Sequence, residues 1–346
     1  MKPFYLLAFT LLLISLNPVY AQTYSSAGAY MSFISNQYRE VTKDYWSYAA
    51  AVAHGKSARK VENRRQSLIQ TVKDSQKKIT AMPGWENDNS LRDSAKNFLQ
   101  NSYHVLNDDY GKIVNMEDVA EQSYDGMEAY LLAQDLANQK LDKALISLAA
   151  TQKEFAEKYK VTILDNSNDE LSGKVKTSNK VNAYYKVFYL LFFKSYKQEA
   201  YMLDALNSKN INGIEQNKTT LLKYSTEGIV KLDTAKAFNG DRSLITACKQ
   251  MLDFYKKECD KTSTYISYFL KAENFDKTKK AFEAKKQSDR TKEDVENFNA
   301  SVNELNKASN EFNTVNAELN QTRKTLLENW NKAVQNFLDK HTPKYR

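Results

Sequence analysis

Proline is scarce in this chain. Four of the 346 residues are proline, and between residues 22 and 342 Pro83 is the single one. Proline costs about 3 kcal/mol inside a helix, so its scarcity permits very long helices. Glycine is also rare, with nine residues. The breaks predicted from glycine in polar or turn-like segments fall at Gly55, Gly84, Gly173 and Gly240.

Cysteine is limited to Cys248 and Cys259. On one helix, eleven residues span about three turns and about 16 Å. That distance is far beyond the reach of a disulfide bond. We therefore expect two buried free thiols, and the cysteine spacing of a zinc site is absent as well.

Histidine is too sparsely placed for the metal chemistry that is common in helical bundles. Di-iron bundles use Glu-x-x-His, in which a glutamate precedes each histidine by three residues. Alanine, asparagine and leucine stand three residues before His54, His104 and His341. A phosphate-binding glycine loop and a nucleophilic serine elbow are also missing from the sequence. The sequence therefore predicts no enzyme and no cofactor.

Long apolar runs are confined to the beginning of the chain. Lys2 precedes the mostly apolar run Phe4–Leu16, which is too short to cross a bilayer, and Val19 and Ala21 are the small residues of a cleavage site. This pattern predicts a signal peptide over residues 1–21 and a mature chain of 325 residues in the periplasm, on the outer-membrane surface or outside the cell. A retained membrane anchor is the alternative. We expect no transmembrane span in the mature chain.

Charge is abundant and its balance is basic. The formal net charge is +8. In an exported protein this balance favours an anionic surface polymer or lipid head groups over nucleic acid. The second predicted helix has a basic face that could serve such binding or could simply be solvated; it comprises Lys60, Arg64, Arg65, Lys73 and Lys77.

Apolar residues recur at three- and four-residue spacings through most of the chain, which predicts amphipathic helices. The eight predicted helices cover about 27–54, 57–82, 90–113, 117–159, 181–206, 214–237, 243–275 and 291–339. The stripe of an amphipathic helix must be covered by other helices. The predicted fold is therefore all-α.

The chain also resembles itself at a constant offset of 153 residues. Leu91 matches Leu244 and Ile113 matches Ile266, and the register continues upstream to pair Tyr48 with Tyr201. This repeat predicts an internal duplication and two tandem long four-helix bundles. The predicted divisions are residues 22–160, a linker over 161–180, and residues 181–346. We expect the aromatic fifth helix to form the seam between the two bundles.

One cluster of polar residues could bind a cation or a small polar ligand. It lies near the junction of the third and fourth predicted helices and comprises His104, Asp108, Glu117, Glu121 and Glu128. His104 and Asp108 are four residues apart, as are Glu117 and Glu121, so each pair would share a helix face. The alternative is a set of surface carboxylates paired with lysines.

Two segments of the first half resemble a known family. They are Leu91-Arg-Asp-Ser-Ala95 and the run YGKIVNMEDVAEQSYDGMEAY from Tyr110 to Tyr130. They are similar to an uncharacterised family of bacterial surface proteins first named from leptospires. The resemblance covers about residues 27–145 and implies a secreted or surface-exposed helical protein with no assigned activity.

These observations favour a non-enzymatic exported protein that binds a protein or an anionic surface polymer at the cell envelope. Partner helices would dock against exposed grooves of the bundles. Two alternatives stay open. One is a metal- or ligand-binding bundle that uses the carboxylates of the first half, and the other is a membrane-active protein that inserts its fifth helix into lipid.

Overall fold

The computed structural model describes residues 24–54, 57–163 and 170–344, without the side chains of residues 58, 114, 115, 117 and 118. These residues form an all-α protein. The helices are α1 (Ala27–Ala53), α2 (Ala58–Thr80), α3 (Ser90–His104), α4 (Tyr110–Ala120), α5 (Tyr124–Lys158), α6 (Glu170–Asn207), α7 (Ile211–Asp233), α8 (Ser243–Ala284) and α9 (Lys292–His341). A π-helical turn, Val105–Asp109, joins α3 to α4 without interrupting the rod. The predicted signal peptide and the predicted break at Gly55 lie outside the described residues.

The fourth predicted helix begins later than the sequence indicated. The sequence predicts that this helix starts at residue 117. In the structure, α4 ends at Ala120 and the next helix, α5, starts at Tyr124. Ser123 has an extended backbone, and its Oγ accepts a hydrogen bond from the amide of Gly126 at 3.0 Å. A serine in this position satisfies one of the unpaired amides of a helix start. The apolar spacing continues across Ser123, so this spacing does not reveal the start of a new helix.

The predicted linker is partly helical. Glu170, Gly173 and Lys180 all belong to α6, which starts eleven residues before the predicted fifth helix. Lys174 pairs with Glu170 at 2.6 Å across the first turn. Packing of the buried residues Ser178 and Val181 stabilises a segment whose glycine and asparagine favour a loop. Residues 164–169 of the predicted linker lie outside the described residues.

Two turns of the same construction occur 153 residues apart. Trp85 and Asp88 form an isolated antiparallel bridge, as do Phe238 and Asp241. The second turn passes through Gly240 at a φ of +82°, a left-handed conformation that glycine adopts without strain. In each turn the aspartate accepts a hydrogen bond from the backbone amide two residues later. This likeness is what a duplication would leave, and the duplication stays a prediction.

The offset of 153 does not extend to the first helix of each half, α1 and α6. Tyr30 donates to the carbonyl of Pro83 at 3.1 Å, and Tyr184 donates to that of Lys236 at 2.9 Å. These tyrosines are 154 residues apart, so the ungapped pairing of Tyr48 with Tyr201 is not the one that the packing shows. The first half has the extra residue, because four residues connect α1 to α2 whereas three connect α6 to α7.

The larger core cluster spans both halves, with α6 at the seam between them, and the first half also has a core cluster of its own. Helix α6 contacts α1 and α5 on one side and α7, α8 and α9 on the other. The larger core cluster contains Met127 and Leu131 of the first half together with Phe188 and Trp330 of the second. These contacts agree with the seam position expected for the aromatic helix. Because α6 is longer than predicted, it can contact helices of both halves.

The thiols are as expected, because Cys248 and Cys259 are free and buried. Burial raises the pKa of each thiol to about 12. Within the described part of the chain, every helix is too short or too polar to cross a membrane.

The second turn is held by Asp241, whose carboxylate accepts bonds from the Ser243 amide at 2.8 Å, Lys340 at 2.9 Å and His341 at 3.0 Å. Burial alone would raise the pKa of Asp241, but these donors outweigh it and lower the pKa. The stabilisation is therefore present above the ordinary aspartate pKa and is lost as the pH falls.

Replacing Asp241 by alanine is expected to lower the free energy of unfolding by about 2–3 kcal/mol, because charge-assisted hydrogen bonds are lost. Urea denaturation at pH 7 measures the change. Asp276→Ala, at an exposed position of α8, is the matched control and should change stability by less than about 0.5 kcal/mol. Equal effects of the two substitutions would contradict the role given to Asp241.

Candidate functional site

The predicted polar cluster contains one close pair. His104 Nδ1 lies 3.0 Å from Asp108 Oδ2, across the start of the π-helical turn. Hydrogen bonds from His104 and then Asn107 lower the pKa of the Asp108 carboxyl. Both side chains are about half exposed, at 56% and 46%. An exposed pair of this kind is screened by water and contributes little energy.

The other three members are not shown to join this pair. Glu128 accepts a hydrogen bond from Tyr124 at 2.9 Å on its own helix. Glu121 is exposed in the break between α4 and α5, and the side chain of Glu117 is outside the described set. Because α4 ends at Ala120, Glu117 and Glu121 do not lie on one continuous helix. The described residues include no group of three or more His, Cys, Asp and Glu placed to hold a metal ion.

A different cluster of charges lies inside the second half. Arg323 of α9 donates from Nε to Glu199 of α6 at 2.5 Å, and from Nη2 to Glu258 of α8. The side chains of Glu199 and Glu258 are 2% and 0% exposed, and that of Arg323 is 13% exposed. One guanidinium thus joins three helices through two buried carboxylates.

The cluster has one more acid than it has base. Burial, and then the charge of Glu199, raise the pKa of Glu258, whereas Arg323 opposes the shift. Glu258 Oε2 and the hydroxyl of Tyr255 are buried, and no described residue forms a hydrogen bond with either. Burial raises the pKa of Tyr255 far above its ordinary value, so this phenol stays neutral. The geometry is suited to sharing a proton between two carboxylates and to fixing the register of three helices.

A surface pocket of the second half is separate from this cluster. The pocket, of about 240 Å³, lies between α7 and α8, and its lining includes Asp233, Arg242 and Lys249. Neither Glu199, Glu258 nor Arg323 lines it. We interpret the buried charges as a structural clamp, because one guanidinium joins three helices.

The sequence contained a signal for this clamp that was not used. Arg323 follows Leu319 by four residues and precedes Leu326 by three, which places a charge on the apolar stripe of α9. Glu258 likewise lies beside Tyr255 and Cys259, which are buried in α8. A charge at a stripe position indicates a buried partner on a neighbouring helix.

The exposed face of α5, opposite its buried face, carries a row of seven residues of which five are apolar and two, Gln139 and Lys143, are polar. It follows alternate steps of three and four residues through Ala129, Leu132, Leu136, Gln139, Lys143, Ile146 and Ala150, and all seven residues are exposed. Leu132, Leu136 and Ile146 are 56%, 49% and 68% exposed. We call these seven residues the α5 stripe. At 1.5 Å per residue it is about 32 Å long, and its spacing is that of a coiled-coil seam.

The basic face of α2 is partly used by internal contacts. Arg65 pairs with Glu62 and donates to the carbonyl of Leu106 at 2.8 Å. Arg64 donates to the carbonyl of Ser47 at 2.5 Å. Lys73 lies over a tyrosine ring of α3, with its Nζ 5.0 Å from the centroid. These contacts leave Lys60 and Lys77 as exposed members of the predicted face.

Fold and surface together define an all-α protein of long packed helices, with a buried ionic clamp and an exposed row of mostly apolar residues on α5. Comparison with protein-family models, with curated proteins and with solved structures gives no match. The resemblance to the leptospiral surface-protein family therefore stays a prediction.

Proposed function

We propose that this is an exported, non-enzymatic protein that binds a helical partner protein at the cell envelope. The α5 stripe is the docking surface. The observation that carries the proposal is its heptad spacing on an exposed face, because such a seam packs against the matching seam of another helix. The predicted signal peptide supports export.

The three other readings of the sequence receive less support. Binding of an anionic polymer by α2 would use cations that internal contacts already engage. A metal site would need more than the exposed pair of His104 and Asp108. Insertion of α6 into lipid would remove Phe188, Phe192 and Phe193 from the core.

A charged variant of the stripe tests the proposal. Leu132→Lys, Leu136→Glu and Ile146→Lys in one chain should abolish a complex with an envelope protein and leave the free energy of unfolding within about 1 kcal/mol of wild type, because all three sites are exposed. Elution of the tagged protein from solubilised envelopes measures the complex. Urea denaturation measures stability.

The control exchanges the charges of an exposed pair on α7, Lys223→Glu with Glu227→Lys. This variant should elute in the same complex as the wild-type protein. A wild-type chain that elutes alone, or a stripe variant that keeps the complex, would contradict the proposal.

A further inference from the structure

The ends of α8 and α9 project from the rest of the protein. α7 runs antiparallel to α8, since Asp233 pairs with Lys249 and the carbonyl of Lys218 lies 3.6 Å from the Cys259 sulfur. Seven residues separate Lys218 from the start of α7, so α7 covers α8 to about Tyr265. Beyond that point α8 continues to Ala284, about 28 Å further.

Over this length the two helices pair with each other. Lys271 bonds to Glu304 at 3.0 Å, and Lys285 bonds to Asp294 at 2.6 Å near the tip. Between them the rings of Phe282 and Phe298 stack with centroids 4.6 Å apart. We call residues 266–318 the α8–α9 hairpin. Its tip is fixed by a capping box between Thr291 and Asp294.

The apolar seam of the hairpin is incompletely covered. From residue 266 to residue 300 every side chain is at least partly exposed, whereas Tyr265 and Trp330, closer to the bundle, are 2% and 3% exposed. Leu270 and Val295 are 51% and 41% exposed. Two helices cover only one side of each other's stripe, and a four-helix arrangement covers both.

The hairpin divides its charge between its two arms. Residues 271–292 carry eight basic and four acidic residues, and residues 293–318 carry six acidic and one basic residue. Two lysines of the first arm already bond to the second arm. Lys279, Lys280 and Lys286 are exposed and form no ion pair with a described residue, and the same holds for Glu293 and Glu311.

We propose that the α8–α9 hairpin is a dimerisation surface whose partner is the hairpin of a second copy of this chain. A two-fold axis lays the basic arm of one copy against the acidic arm of the other, and the half-covered seams meet between them. The resulting unit is a four-helix bundle with like arms diagonal to each other. Two-fold contacts of this self-complementary kind are the commonest among homodimers.

The size of the surface predicts a weak dimer. A hairpin about 28 Å long and about 20 Å wide offers about 560 Å² per copy, or about 1,100 Å² in total. This area is near the lower limit for specific interfaces. Charge complementarity therefore contributes much of the specificity, and salt should weaken the dimer.

Charge reversal of each arm tests the arrangement. The first variant carries Lys279→Glu, Lys280→Glu and Lys286→Glu, which makes both arms acidic. The second carries Glu293→Lys, Glu296→Lys and Glu311→Lys, which makes both arms basic. Sedimentation velocity at about 100 µM, a concentration suited to micromolar affinity, should show wild-type dimers and monomers of each variant alone.

Mixing the two variants gives the decisive result. In a mixed dimer every acidic arm faces a basic arm, so dimers should form again. Lys60→Glu, Lys77→Glu and Lys78→Glu, at exposed positions of α2, change the net charge as much as the first variant does and should leave the dimer intact. Circular dichroism confirms that each chain is folded.

A monomeric wild-type protein would overturn the proposal, and so would variants that dimerise alone or a mixture that stays monomeric. Loss of the dimer in the α2 control would mean that net charge, and not the position of the charges, decides dimerisation. That result would also overturn the proposal. The proposal is independent of the α5 stripe, because hairpin variants should keep the complex with the envelope partner.

Discussion

Replacing Arg323 by alanine is expected to lower the free energy of unfolding by about 3–5 kcal/mol. The substitution leaves the carboxylates of Glu199 and Glu258 buried without their shared cation. It also removes the guanidinium that lies 5.7 Å from the ring centroid of Phe254. Urea denaturation at pH 7 measures the loss. Lys324→Ala, at the exposed neighbouring position, should have almost no effect.

A compensated variant separates the clamp from the packing around it. Arg323→Met combined with Glu199→Leu and Glu258→Leu replaces all three charges with apolar side chains. Replacing a complete buried ionic group in this way is often neutral or stabilising, so we expect most of the loss to be recovered. Two results would contradict the role given to the clamp. One is an equal loss of unfolding free energy in Arg323→Ala and Lys324→Ala. The other is a triple variant that is less stable than Arg323→Ala.

The stability of the protein is expected to fall as the pH rises from about 5 to about 8. Burial, followed by the charge of Glu199, raises the pKa of Glu258 from 4.5 to about 8. Within this window the folded state holds a proton that the unfolded chain has released, so the unfolding free energy decreases with pH.

Glu258→Gln isolates this contribution, because an amide does not titrate. Its unfolding free energy, measured in urea at half-unit steps of pH, should be nearly flat across the window in which that of the wild type declines. Asp88 and Asp241 act at lower pH, where their lowered pKa values mean that stability is lost as they become protonated. A wild-type curve that rises from pH 5 to pH 8, or an equal slope in Glu258→Gln, would contradict the assignment.

The starts of the last two helices were the most accurately predicted from the sequence. The start of α9 at Lys292 followed from Thr291 and Asp294, whose capping box is present in the structure. The start of α8 at Ser243 followed from the turn before it, which is also present. These features are local, because a cap or a turn is formed by residues that are adjacent in the chain.

The errors arose where distant contacts decide the structure. The local sequence of residues 170–180 predicts a loop, but packing against other helices stabilises it as part of α6. At Ser123 the opposite occurs, because a cap ends a pattern that the hydrophobic period continues.

The clamp shows the same limit at the level of the site. The stripe positions of Glu258 and Arg323 indicate buried partners, but nothing in the local sequence shows that these two side chains and Glu199 meet. Their meeting depends on how α6, α8 and α9 are brought together. For the predicted cluster, the helix break after Ala120 separates Glu117 from Glu128, which the hydrophobic period had placed on one helix. The α5 stripe was visible only once the opposite face of α5 was known to be buried.

The central claim is that the α5 stripe docks another protein, and site-specific photocrosslinking in the producing cell tests it most directly. A photoreactive phenylalanine replaces Leu136 in the stripe, and in a second chain it replaces Glu227, an exposed residue of α7. We predict one adduct of defined mass from position 136 and none from position 227. Adducts of equal yield from both positions, or no adduct from position 136, would contradict the account.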